Sequence, residues 1–585
     1  LKRISQLKQL LKGWLMNSLY TQIKHAWQLI DKYTFFGALF ALIFISALLL
    51  LFPQWTTRWV NEVKVLLTDK LGVFYLSYGA ISVIFVLFIA FSDMGKIKLG
   101  RAEDQKEFST YSWSSMLFCS GIGATILYWG LIEWAYYYEG PPFELDPAST
   151  EAIKWAATYG IFHWGPIAWA IYLVPAVAIS YFYHIRNQNV LKISQCLAPL
   201  IGEKLSKNYL GKSIDLLLIF GVLGGSATAL GFVSPLITES LHWLFHFPNN
   251  QLIQLLVLLS ITSIFSYSTS QGLQKGIKNL SHLNTYLAIG FLVFILLTGP
   301  TLFILDVGFE SLGRSITHLA EMMTWNEAFA RFSQQGFQKS NFPQKWTIFY
   351  WAWWLVFSPT MGLFVAKISR GRTLREVIIG ALFFGSLGCA SFFIILGNYG
   401  LYLQLTNQVN VIGILNHASP TEAILNILNT LPFAPIVISI FTILAVIFAA
   451  TSFDTVSYIL ASVVQKKLKK EPMRWNRLFW AFALGLIPSV LLLLHGDLNT
   501  LQAATIISAA PLLVVMLILM VSTIRAIQYD LHFQRDYSSR TIHIQEIPDI
   551  APWQEGKPSR APEGSILHKE NKYAKIKQTK KRYLR

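Results

Sequence analysis

The chain has 585 residues, 54% of them hydrophobic and only 14% charged, with a formal net charge of +17. A water-soluble protein of this length is nearer a quarter charged, so that class is excluded, and the recurring apolar runs read as an all-α polytopic membrane protein. The basic surplus does not point to nucleic acid, because it falls in alternate loops, and three cysteines without a CxxC pair (Cys119, Cys196, Cys389) imply neither a disulfide framework nor a metal site.

In chain order, residues 1–33 are basic and amphipathic and lack a signal-peptide core, so a cytoplasmic segment without cleavage is expected. Two peripheral spans follow within 34–92, at 34–53 and 72–92. Residues 113–304 hold five more, at 113–138, 157–184, 213–243, 251–270 and 282–304. The loop 305–344 contains GFESLGRSITHLAEMMTWNEAFAR (308–331), whose apolar residues recur at helical spacing between mixed charges. That pattern predicts an amphipathic helix lying along the membrane surface. A second group of five occupies 345–525, at 345–368, 375–402, 433–464, 477–495 and 501–525. The remainder, 529–585, is polar and ends KYAKIKQTKKRYLR; it reads as a disordered cytoplasmic tail able to touch anionic headgroups.

Twelve spans place both termini on one side. Lys and Arg then collect in the loops 93–112, 185–212, 271–281, 369–374 and 465–476, whereas 139–156 is acidic and 403–432 has no Lys or Arg. By the positive-inside rule these basic loops and both ends are cytoplasmic.

A midplane binding site needs free backbone polar groups, which occur where a membrane helix is interrupted. Two stretches qualify: CSGIG (119–123), with Gly121 and Gly123, and SPTMG (358–362), with Pro359 and Gly362. They interrupt the third and eighth spans, which run in opposite directions five spans apart. Spans 3–7 and 8–12 therefore read as an inverted five-helix repeat, a pattern of secondary transporters.

The eighth span begins with FYWAWWLVFSP (349–359), six aromatic rings in eleven residues and no charge. On a helix Trp346, Tyr350, Trp353, Trp354, Phe357 and Met361 share one stripe, and Trp351 points away. Such stripes are more often packing than binding, but this one meets a predicted break. The fourth span offers Trp164, Trp169 and Tyr172, and the end of the third offers Tyr136. Rings without strong donors suit a methylated ammonium, which cannot donate hydrogen bonds and gains roughly 0.5–2 kcal/mol per aromatic face.

FYWAWW, SPTMG and AKISRGRTLREV (366–377) together resemble the signature of the betaine/choline/carnitine transporters, and FHW…AWAIY, GLQKGIKNLS (272–281) and TSFD (451–454) match in order. The resemblance covers roughly 35–525. It implies twelve helices with a LeuT-like inverted repeat, often a homotrimer, in a bacterial inner membrane, and no enzymatic activity. It assigns the central box to Trp164, Trp353, Trp354 and Phe357, with Tyr136, Trp169 and Tyr172 as further walls and Trp346 as a second, outward substrate position. Met361 matches the methionine of the sodium-independent exchangers. A sodium ion, in the coupled members, would sit between carbonyls of Cys119 and Ile122 and the hydroxyls of Thr451 and Ser452. Lys278 stands where the exchangers carry arginine, so coupling reads as uniport or exchange with Lys278 replacing the ion, and sodium stays open. Glu133 and Asp454 read as structural hydrogen-bonding acids. The rival readings are a transporter of another small amine or amino acid on the same fold, a channel, and a membrane enzyme. No charged ring, repeated pore segment or intramembrane nucleophile–base pair supports the last two.

Overall fold

The computed structural model describes residues 27–121, 123–187, 192–271, 273–329, 340–466, 468, 471–494, 498–532 and 541–544, without the side chains of 119–121, 269–271, 273–282, 498, 499 and 501. Helices dominate them, and bridge pairing is confined to three isolated contacts: Ile30 with Gln465, Ile97 with Ile542 and Lys98 with Thr373.

The first two spans are α1 (Lys32–Leu51) and α3 (Gly72–Phe91), joined by α2 (Pro53–Val65), which Pro53 starts at a position where a missing N–H costs nothing. The third span is split into α4 (Thr110–Gly121) and α5 (Thr125–Glu139). The fourth is split as well, into α6 (Thr150–His163), capped by the Ser149 hydroxyl, and α7 (Pro166–His184). Then come α8 (Tyr209–Phe245), α9 (Gln251–Gln271) and α10 (Leu273–Thr298).

Pro300 cannot continue α10, and the chain turns by 114° into α11 (Thr301–Thr317). The helix expected over 308–331 is therefore set earlier in the chain and is followed by one short turn, Leu319–Thr324. Its inner face, with Ile304, Gly308 and Ser311, is buried, and Arg314 ties it to α6 through Glu151 at 3.3 Å and the Trp155 ring at 5.1 Å.

The second group begins with α12 (Ile348–Ile368), entered through a π-turn at Pro343–Thr347. A capping box between Thr373 and Glu376 opens α13 (Leu374–Phe392), which passes through a second π-turn into α14 (Asn398–Leu405). The last spans are α15 (Ala434–Val463), the pair α16 (Arg474–Leu484) and α17 (Leu486–Leu493), and α18 (Leu498–His532).

Every one of the twelve apolar runs thus carries a helix or a pair of helices. By length and composition alone the described residues hold ten membrane-crossing helices, or eleven with the bent pair α10–α11. The third run, 113–138, fails that test because its two halves have only 12 and 15 residues. The helix α18 also runs past 529, so the tail begins later than its composition suggests. Part of the tail is held: Ile542 is buried and exchanges backbone hydrogen bonds with Lys96 and Lys98.

That contact belongs to a knot of basic loops. The loop after α3 pairs with 369–374: Arg370 grips Asp104 with Nε at 3.1 Å, and Arg372 lies over the Trp113 ring at 4.2 Å. Gly371 adopts φ +82° here, and a side chain on it would meet the Gln105 carbonyl at 2.4 Å. The Arg101 N–H and then the Arg370 guanidinium hold the Asp104 carboxyl below its ordinary range.

Candidate functional site

The expected break at SPTMG is absent, which corrects the sequence reading. Pro359 sits inside a continuous α12. Proline removes the N–H that would bond the Leu355 carbonyl, and the Ser358 hydroxyl donates to that carbonyl at 2.8 Å instead. Gly362 serves packing: a side chain there would meet the Pro175 and Ala176 backbone of α7 at 2.9 Å. The second break falls opposite, at Trp164–Gly165. There Pro166 starts a new helix, and a Cβ on Gly165 would stand 2.5 Å from the Ile161 carbonyl.

The two real breaks, in the third and fourth spans, border a cavity of about 90 Å³. At roughly 10–15 Å³ per water of such space, it has room for several waters or one small solute. Its walls are Met116, Gly123, Ala124 and Thr125 from α4–α5, Trp164 and Tyr172 around the second break, Ala229 and Val233 of α8, the Trp353–Phe364 stripe of α12, and Thr451, Ser452, Phe453, Thr455 and Val456 of α15. No lining residue is Asp, Glu, Lys or Arg.

Two of the indoles, Trp164 and Trp354, are fixed by hydrogen bonds from their N–H groups to other parts of the frame. A helix end leaves its last carbonyls unsatisfied, and at the end of α6 the His163 carbonyl accepts from Trp354 Nε1 at 2.9 Å. Trp164 Nε1 donates to Glu133 Oε2 at 3.1 Å. Trp164 stands edge-on to Trp354, centroids 4.7 Å apart at 72°, while Trp353 and Trp354 stack at 5.5 Å and 10°. Tyr172 closes the corner, 5.8 Å from Trp354.

Behind these rings lies a buried polar chain. Glu133 accepts from Tyr137 at 2.5 Å and from the Tyr350 hydroxyl; Tyr137 meets His163 Nδ1 at 2.9 Å, and His163 Nε2 meets Thr347 Oγ1 at 3.1 Å. Each buried polar atom in this chain thereby finds a partner, which such burial demands.

Against this geometry, residues 33–532 match the profile described as BCCT, betaine/carnitine/choline family transporter. The chain belongs to that family. It is 33% identical over 467 residues to the carnitine transporter of Acinetobacter baumannii (strain ATCC 19606), covering 80% of this chain and 81% of that one. It is 32% identical over 502 residues to the glycine betaine transporter of Acinetobacter baylyi (strain ADP1), with 86% and 74% coverage. An uncharacterised transporter of Escherichia coli K12 is 30% identical over 447 residues, covering 76% and 91%. Among solved structures, a sodium-coupled sialic acid symporter aligns with a TM-score of 0.43 and 10% identity, over 76% of this chain and 85% of that one, a likeness too weak to carry an argument. The protein is a multi-pass membrane transporter, not an enzyme.

In this transporter Trp164, Tyr172, Trp353, Trp354, Phe357, Met361, Gly123, Thr451 and Ser452 border the cavity. Trp346 and Tyr136 do not. Trp346 is buried against Tyr137 at 5.0 Å, Tyr136 at 5.3 Å and Trp129 at 5.7 Å. Trp169 backs Tyr172 at 5.8 Å and fills the space left by Gly385, where a Cβ would overlap its ring at 1.9 Å. Ile122 and the side chains of Cys119, Gly121 and Lys278 lie outside the description. Sequence reasoning missed Met116, Ala229, Val233, Phe364 and Thr455. Phe364 and Thr455 are the next turns of stripes already marked by Met361 and Thr451; the small residues of GGSATALG (224–231) were the signal for Ala229. The Gly-Pro pair at 165–166 was the missed mark of the fourth-span break.

The hydroxyls suit a hard cation, which takes oxygen ligands. Thr451 Oγ1 donates to the Ile447 and Phe448 carbonyls at 3.0 Å and keeps its lone pairs free to accept, and Ser452 Oγ lies 3.2 Å from where a Cβ on Gly123 would be.

Proposed function

We propose that this protein moves small quaternary-ammonium solutes of the betaine, choline or carnitine type across a bacterial inner membrane by alternating access. The observation that carries the reading is a cavity walled by Trp164, Tyr172, Trp353 and Trp354 with no acid or base in its lining. A primary amine would find no carboxylate for its three donors there, only hydroxyl oxygens such as those of Thr451 and Ser452. An onium ion loses no hydrogen bond on entry and gains the ring faces. The names of the carnitine and glycine betaine relatives agree with this chemistry.

Within the same proposal, both termini and the basic loops are cytoplasmic, the working unit is a homotrimer, and the basic tail meets anionic lipid. Coupling is by uniport or exchange, with Lys278 in place of an ion; sodium held by Thr451 and Ser452 is the alternative their free lone pairs support. Counterflow of labelled betaine, choline and carnitine in proteoliposomes, with and without sodium, tests both levels. Exchange of at least one of them should survive sodium removal and should fall by about 30-fold or more in Trp354→Ala, which removes one ring and its neighbours' support. Flux of none of the three would refute the substrate class. Loss of flux without sodium would refute the coupling alone.

A further inference from the structure

The box is neutral, yet the group it receives, a quaternary ammonium, is a cation. Glu133 lies one indole behind it, fully buried, and is tied to two rings of the eighth-span and fourth-span walls. Three donors converge on its two oxygens. Trp164 Nε1 and the Tyr350 hydroxyl share Oε2, and Tyr137 takes Oε1. An indole N–H can only donate, and an ionised carboxylate is a pure acceptor with room for all three. His163 Nδ1 lies 3.8 Å from Oε1, and among the described residues no Lys or Arg pairs with this carboxylate. An ionised Glu133 would therefore meet no fixed Lys or Arg charge among those residues.

We infer that Glu133 is a positioning residue that also supplies the counter-charge of the transported cation. The inference rests on the onium reading given above. It acts in two ways. By accepting from Trp164 it fixes the indole so that the ring, not the N–H, borders the cavity. By carrying a negative charge behind that ring it makes the cavity attractive to a cation without offering an oxygen to bind it. An acid inside the cavity would form a direct ion pair and slow release; an acid behind an indole attracts through space and leaves no bond to break.

At an effective dielectric near 20, a charge roughly 8–10 Å from the onium corresponds to a factor of about 15–30 in affinity. The test uses the full-length protein in detergent and measures binding of glycine betaine, carnitine and choline, each beside its carbon isostere, in which carbon replaces the trimethylammonium nitrogen. Glu133→Gln keeps the shape. Its carbonyl can accept from Trp164 and Tyr350, and its amide can donate to Tyr137, whose hydroxyl then donates to His163.

The expected result is an onium-to-isostere affinity ratio lowered by about 15- to 30-fold for each pair; choline, a net cation, should show that loss in its own affinity, whereas the carboxylates of betaine and carnitine, which the same charge repels, offset part of theirs. Equal losses for ligand and isostere would reduce Glu133 to a structural role and overturn the inference, as would an unchanged choline affinity. Glu133→Asp keeps the charge and serves if the Gln variant does not fold: it should retain the wild-type ratio of onium to isostere within about threefold, and losing that ratio would overturn the idea equally. A wild-type protein that shows no preference for onium over isostere would instead sink the onium reading itself.

Discussion

Two aromatic clusters lie about two turns apart along the eighth span, and they differ in what faces them. Around Trp346, the rings of Trp129, Tyr136 and Tyr137 pack at 5.0–5.9 Å, and none of them borders the cavity. Around Trp354, the rings face Gly123, Ala124, Thr125 and Ala229, and a hollow remains. Both are rich in Trp and Tyr rings. A binding box arises where large rings oppose small residues and a broken helix, and a plug arises where rings oppose rings.

The strongest way to break this contrast is to turn the box into a plug. Ala229→Phe puts a ring into the hollow, and we expect counterflow to fall below detection while the protein keeps its wild-type melting temperature within a few degrees. Flux at more than a tenth of wild type would mean the solute takes another path. The converse change opens the plug. Trp346→Ala should lose about 3–5 kcal/mol of stability, as expected for truncating a buried tryptophan. Solute affinity should change by less than about threefold, because cation–π gain at this position requires a free ring face. A drop in affinity of tenfold or more, with stability kept, would restore the second substrate position that the family resemblance implies for Trp346. The mildest test concerns the helix that carries both clusters. Ser358→Ala leaves the Leu355 carbonyl without its donor, and a cost of about 1–2 kcal/mol in thermal or denaturant unfolding is expected. No change would show that the carbonyl finds another partner.

Much of the fold was legible because a bilayer demands long apolar runs, and those runs are local properties of the chain. The helix ends are less local. The stop at Thr298 could be read from Gly299 and Pro300, but the extension of α18 past residue 529 could not, since its end packs on the fourth span: Arg186 grips Asp530 there at 2.8 Å. The site was half legible. The α12 stripe follows from 3.6-residue spacing, so Trp353, Trp354, Phe357 and Met361 were found together. The error over SPTMG has a single cause. Whether a proline breaks a helix depends on whether another group satisfies the freed carbonyl, and here the preceding serine does so.

The sequence by itself determined that the chain is a helical membrane protein of alternating orientation with an aromatic stripe on its eighth span. It also determined the family, through residues that stand contiguous in the chain. Only the tertiary structure decided which helices break, that Trp346 is packed shut while Trp354 borders a hollow, and that Glu133 stands behind the box. Those outcomes depend on what lies opposite each side chain, and contacts between residues more than two hundred positions apart, such as Tyr350 with Glu133, are not written in any local pattern.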